Sequence, residues 1–194
     1  GIVPGMLLAL EEERKIDPET TVRGLVVAGG VGSLISLRAN ISGAAGGCQN
    51  EVGVAAAMGA AGACAMMGGT TRQCVNAAAI ALKNTLGLVC DPVGGLVEVP
   101  CVKRNGVFAV HGLTAAQLAL AGIESVIPMD EVVEAMVRIG RALPRGLRET
   151  AEGGLAVTPT GVAIAQRLKD EANERRAAKA AERERIAKER KGGA

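Results

Sequence analysis

A chain of 194 residues with 27 Gly, one Phe and neither Tyr nor Trp has room for one core, built from Leu, Ile, Val, Met and Ala at short packing distances. The missing aromatics disfavour modules that stack bases on rings, and sandwiches of aromatic-rich strands. The net charge of +2 is a tail effect: residues 168–194 carry nine Lys/Arg against six Asp/Glu, and the remainder carries thirteen against fourteen. No nucleic-acid partner is implied. The chain starts at Gly1 with no Met and no charged leader, which reads as a piece of a longer chain and not as a signal peptide. Gly and Ala together make up almost a third of the residues, and that excess needs a reason.

In chain order the pattern is mainly helical. Residues 4–15 form an apolar patch followed by charge. Asp17-Pro18-Glu19 places a capping Asp, a Pro at the first helical position and an acid in the first turn. The helix it opens is expected to run to about Arg38. Residues 41–47 read as a loop, and residues 50–67 as a helix of small residues ended by Gly68-Gly69. Thr71 is expected to cap the next helix, to Asn84. Residues 85–112, with Gly87, Pro92, Gly94, Gly95, Pro100, Gly106 and Gly112, read as one irregular segment. Thr114 and Gln117 have the spacing of a capping box for a short helix to Ala121. Asp130 is expected to cap a helix with Val133, Met136, Val137, Ile139 and Leu143 on its apolar face. Thr158-Pro159 opens the last helix, which is Ala, Glu, Arg and Lys all round from Lys169 to Lys191. The fold expected is mainly α, with a compact helical domain over 1–167 and a charged helical or disordered tail over 168–194.

Residues 52–69 hold no charge over 18 positions, the nominal length of a membrane span. Their apolar content is mostly Ala and Gly, which drive insertion weakly, so a buried, closely packed helix is the expectation and a membrane is not.

The five cysteines are Cys48, Cys64, Cys74, Cys90 and Cys101. An odd number with no secretory leader argues for a reducing, cytoplasmic setting with free thiols or metal ligands. No CxxC pair exists, which disfavours a zinc ribbon. Cys64 and Cys74 lie in helical patterns among Ala, Met and Val and read as buried small apolar residues. Cys48, Cys90 and Cys101 lie in Gly/Pro-rich backbone, which can wrap a cluster and aim N–H groups at sulfur. Cys48 also stands at a helix start, where the dipole favours a thiolate. Inert core thiols remain the other reading of all five.

The residues around those three cysteines resemble a known family. The strings ISGAAGGCQNEVGVAAAM (41–58), ALKNTLGLVCDPVGGLVEVPCVKRN (81–105), ALAGIESVIPMDEV (119–132) and RETAEGGLAVTPTG (148–161) are similar to the α subunit of the iron–sulfur-dependent L-serine dehydratases, from about residue 3 to 161. The resemblance implies an L-serine ammonia-lyase, a carbon–nitrogen lyase of amino-acid degradation and gluconeogenesis. It would convert L-serine to pyruvate and ammonia with a [4Fe-4S] cluster and no pyridoxal phosphate. The family's cluster ligands fall on Cys48, Cys90 and Cys101. Three thiolates leave one iron open as a Lewis acid for the substrate oxygens. The resemblance also implies a β subunit or β domain and a homo- or hetero-oligomer.

Other roles are assigned less sharply. Ser42, Gln49, Asn50 and Arg104 are candidates for contacts to sulfur or substrate, with loop capping and surface charge as the alternatives. His111, Lys103 and Lys83 are candidate proton-transfer or carboxylate-binding groups, and Glu51 reads as a dipole partner in the first turn of the small-residue helix. A cluster-dependent L-cysteine desulfidase and an inactive helical protein needing a β partner are the alternative functions.

Overall fold

The computed structural model describes residues 1–192. The helices are α1 (Ile2–Arg14), α2 (Pro18–Ser36), α3 (Gly43–Gly46), α4 (Val54–Met66), α5 (Thr71–Lys83), α6 (Cys101–Leu120), α7 (Met129–Ala142) and α8 (Pro159–Gly192). A π-helical turn, Gln49–Gly53, leads into α4. Among the described residues there is no strand; one isolated parallel bridge joins Cys90 to Arg148. The mainly helical architecture is therefore the expected one.

The small-residue helix α4 is the hub and touches α1, α2, α5 and α6. Ala56, Ala57, Ala60, Ala61, Ala63 and Cys64 on it have no exposed surface. Glycines set how close its neighbours come. A Cβ on Gly62 would lie 2.7 Å from the Gly24 carbonyl oxygen of α2. One on Gly112 of α6 would lie 2.9 Å from the Ala56 carbonyl oxygen of α4. Leu7 and Leu10 from α1, Leu82 from α5 and Val132 and Met136 from α7 close the core around it. No helix of the described chain is long and apolar enough to cross a membrane, and the uncharged stretch spends its small side chains on helix contact.

Local signals explain most boundaries. Asp17 accepts from Thr20 N at 2.9 Å, and Pro18 follows as the first helical residue of α2. The helix after Gly68-Gly69 is capped by Thr70 and not by Thr71: the Thr70 hydroxyl accepts from Gln73 N while the Gln73 side chain accepts from Thr70 N. This capping box satisfies two end donors reciprocally.

Four expectations are corrected. The irregular segment ends at Pro100, because α6 begins at Cys101 and runs unbroken through Gly106, Gly112 and Thr114. Those glycines do not break it; Gly112 is where the α4 backbone and Met6 come closest. Thr114 is no cap, and its hydroxyl donates to the Val110 carbonyl one turn back, as Thr can inside a helix. Pro128 is the N-cap of α7, and Asp130 lies in its first turn. Residues 43–46 of the expected loop form the single turn α3, capped by Ser42.

Helix α8 rests on the body near its start, where a Cβ on Gly94 would lie 3.0 Å from Leu168 Cδ1 and 3.5 Å from Ala165 Cα. Further along, Glu171 lies 3.8 Å from Arg167 and 3.9 Å from Arg175, and Glu182 lies 2.8 Å from Arg185. Such pairs stabilise a solvated helix by a few tenths of a kcal/mol each. Residues 193–194 of the expected tail lie outside the described residues.

Candidate metal centre

Cys48 stands between α3 and the π-helical turn, with 2% of its surface exposed. Gly47 makes the preceding corner at φ 81, and a side chain there would meet the Leu88 carbonyl oxygen at 2.7 Å. The Gln49 side chain pins the turn. Its Nε2 donates to the carbonyls of Gly46 (3.0 Å) and Met136 (2.9 Å), and its Oε1 accepts from Gly87 N (3.0 Å). It is fully buried, so it ties the cysteine turn to α7 and to the 85–90 segment. Asn50 Nδ2 donates to the Asn40 carbonyl, and its buried Oδ1 has no partner.

Cys90 lies in the loop after α5, 3% exposed. Its N–H donates to the Leu147 carbonyl at 2.9 Å, and its own carbonyl accepts from Glu149 N at 2.8 Å. This pairing brings the 145–149 segment alongside and holds Glu149 at φ 65, a left-handed conformation that costs a non-Gly residue on the order of 1 kcal/mol. Cys101, 7% exposed, is the first residue of α6. All five cysteines are free and buried.

The donors converge. One ligand atom each from Cys48, Cys90 and Glu51 all lie within 4.8 Å of one another. Gly43 faces them: a Cβ there would lie 3.0 Å from Glu51 Oε2, 3.1 Å from Cys90 Sγ and 3.4 Å from Glu149 Oε2. Arg104 reaches in from α6, with Nη1 3.7 Å from Cys48 Sγ, 3.0 Å from the Val89 carbonyl and 2.9 Å from the Asp91 carboxylate.

These contacts set the thiols apart. The Cys48 thiol is pulled below its ordinary value, first by a hydrogen bond from Cys90 and then by the Arg104 charge, against the cost of burial. Cys90 is pushed up, first by that same pairing and then by burial. Cys101 is raised by burial and then by the charge of Cys48, so the two are within electrostatic reach. Burial pushes Cys64 up to about 12 and raises Cys74, which fits core thiols.

The remaining sequence candidates sit as follows. Ser42 caps α3 through Ala44 N at 3.2 Å. Lys103 is exposed on α6. Lys83 donates to the Ser125 carbonyl at 2.7 Å, and His111 Nε2 pairs with the Ala81 carbonyl at 2.9 Å, edge-on to Phe108. The structure thus gathers Cys48, Cys90 and Arg104, with Gln49 behind them, and gives Lys83 and His111 partners at the joints of α5 with other segments. Asp91, Glu149 and Gly43 went unnoticed in the sequence. Glu51 had a readable signal, because three residues after Cys48 in CQNE it shares a helical face with that cysteine.

The donor set suits a thiolate-held metal group. The cysteines are buried and not paired as disulfides, a guanidinium offsets thiolate charge, and a glycine leaves space where any side chain would intrude. An iron–sulfur cluster needs such soft ligands with hydrogen bonds aimed at sulfur, and a cluster wider than one ion accommodates a third cysteine set farther out than the Cys48–Cys90–Glu51 group.

Fold and site together define a helical protein with a thiol-lined candidate metal centre at one end of a small-residue helix. The chain belongs to the serine dehydratase alpha chain family, which it matches over residues 1–156. It is 54% identical over 168 residues to the probable L-serine dehydratase alpha chain of Bacillus subtilis (strain 168), covering 87% of this chain and 56% of that protein. The probable alpha chain of Latilactobacillus sakei is 52% identical over 168 residues, 87% of this chain and 80% of its own length. L-serine dehydratase 2 of Escherichia coli (strain K12) is 43% identical over 159 residues, 81% of this chain and 35% of that protein. The chain therefore spans little more than half of the Bacillus relative's length.

Proposed function

We propose that this chain is the catalytic, cluster-binding part of an L-serine dehydratase, deaminating L-serine to pyruvate and ammonia. The observation that carries the reading is the gathering of buried, unpaired Cys48 and Cys90 with Arg104 and Glu51, in a chain of this family. Cys48, Cys90 and Cys101 would hold a [4Fe-4S] cluster; when bound, it supplies a Lewis-acidic iron with a position left for substrate oxygen.

The chain's own residues do the rest. Cys90 and then Arg104 hold Cys48 toward the thiolate a metal requires. Gln49 fixes the turn that presents it. The exposed carboxylates of Glu51 and Glu149 flank the donors and face an amino-acid substrate whose ammonium they attract. The relatives' names as alpha chains support a separate β chain as partner. Residues 1–167 form the working domain, in a reducing cytoplasmic setting, and pyridoxal phosphate has no part in the reading.

Anaerobic reconstitution, with and without a β partner, tests this. A brown protein with about four irons and pyruvate from L-serine are expected, and Cys48→Ala loses both. A chain that stays colourless and iron-free overturns the reading.

A further inference from the structure

Beyond the cluster, we infer that Cys48, Cys90 and Glu51 form a site for a single thiophilic divalent cation, zinc fitting best, from which Cys101 is excluded. The inference uses two of the same thiols but does not rest on the cluster or on serine turnover.

Three observations carry it. The first is the spacing. The donor atoms of Cys48, Cys90 and Glu51 already lie within 4.8 Å of one another. Zinc–sulfur bonds of about 2.3 Å and zinc–oxygen bonds of about 2.1 Å at tetrahedral angles need ligand separations of about 3.5–3.8 Å. Rotation of exposed Glu51 and small shifts of the two thiols close that gap. Cys101 does not belong to this group. A single ion is thus served by a different ligand set from the one assigned to a cluster.

The second is Gly43. A methyl there would lie 3.0 Å from Glu51 Oε2 and 3.1 Å from Cys90 Sγ and crowd both donors, so the glycine leaves the space between them open. The third is charge. Two thiolates and a carboxylate around a dication leave one negative charge, and Arg104 brings a positive one to Cys48 Sγ. Two soft ligands and one carboxylate suit zinc better than magnesium or calcium, which want oxygen alone. Three protein ligands leave the fourth position to water, and binding releases the thiol protons. An ion seated there occupies the sulfurs that iron needs, so zinc-loaded chain resists cluster assembly.

The test is zinc titration of the reduced, metal-free full chain against a chromophoric chelator, with cobalt(II) spectra reporting tetrahedral thiolate coordination. One zinc per chain is expected. Glu51→Gln weakens binding by about tenfold or more, as loss of a ligand should, and Gly43→Ala weakens it as well. Cys101→Ser binds zinc within about twofold of the parent, because the site excludes it. Circular dichroism confirms that each variant is folded, and if Cys90→Ser unfolds, the Glu51 and Cys101 arms decide. Equal losses from Cys101→Ser and Cys90→Ser, or a Glu51→Gln chain indistinguishable from the parent, overturn the inference. Iron count and pyruvate yield are read separately, so failure here and failure of the dehydratase reading are distinguishable.

Discussion

One guanidinium joins Asp91 to Cys48. Arg104 Nη1 lies 2.9 Å from Asp91 Oδ1 and 3.7 Å from Cys48 Sγ, and the two charged side chains are 16% and 4% exposed. Asp91 Oδ1 makes no aligned hydrogen bond of its own, so the contact is an ion pair; the other carboxylate oxygen accepts from Leu155 N at 2.8 Å. Removing Arg104 strands a buried carboxylate, which costs about 3–5 kcal/mol. Arg104→Ala is therefore expected to lower the urea midpoint sharply, and Arg104→Lys less, since Lys keeps the charge beside Asp91 although one amine cannot meet all three acceptors. Chemical denaturation of the three chains measures this.

Gln49 makes a second stability prediction. Its amide serves two carbonyls and one N–H from three segments. Gln49→Leu keeps the volume and leaves those groups dry and unpaired, at a cost of about 3 kcal/mol. The expected result is a folded but weaker chain with reduced metal retention, read by denaturation and by iron content after dialysis.

The glycines of α2 separate by what they face. Gly24 meets Met66 and the Gly62 carbonyl, whereas Gly29 meets nothing within 4 Å. Gly62→Ala on α4 pushes a methyl against the Gly24 backbone and should cost about 1–3 kcal/mol. Gly29→Ala adds helix propensity in open space and should stabilise by about 0.5–1 kcal/mol. Opposite shifts in thermal midpoint are the expected outcome; shifts of the same sign would refute the packing assignment.

Asp17 supplies a pH dependence. Its carboxyl is held below the ordinary value, first by the Thr20 hydroxyl and then by Thr20 N–H. A depressed folded-state value means the stabilisation is present above the unfolded value of about 3.9. It is lost as pH falls through the folded one. Asp17→Ala should therefore unfold at a lower temperature than the parent near neutral pH, and the gap should shrink in strong acid. Melting curves at the two pH values check it.

Much of this was legible from the residues. Asp17-Pro18 announced α2 because capping is local, and the run of Ala and Gly announced a closely packed helix because Ala favours helix and such small side chains drive membrane insertion weakly. Cys64 and Cys74 could be separated from the other cysteines by their helical surroundings. What escaped was long-range. Gly106 and Gly112 read as breakers because a sequence does not show Met6 and the Ala56 backbone pressed against the second of them. Glu149 reaches the site only because Cys90 pairs with the 147–149 backbone, and no periodicity links positions so far apart. Arg104 was noticed as a possible partner for a substrate carboxylate; the acid it meets in the fold is Asp91.

The hub position of α4 has a consequence for how accurately the site is made. The turn carrying Cys48 and Glu51 continues directly into a helix packed against four others, with the α2 and α6 backbones in close approach at Gly62 and Gly112. The backbone of Cys48 and Glu51 is therefore anchored to the buried central helix, while Cys90 hangs from a loop and Cys101 opens a separate helix. Tolerance to misfit is uneven around the centre. The backbone at Cys48 is then the fixed side of the centre, and the room for adjustment lies in the exposed Glu51 side chain and in the loop that carries Cys90.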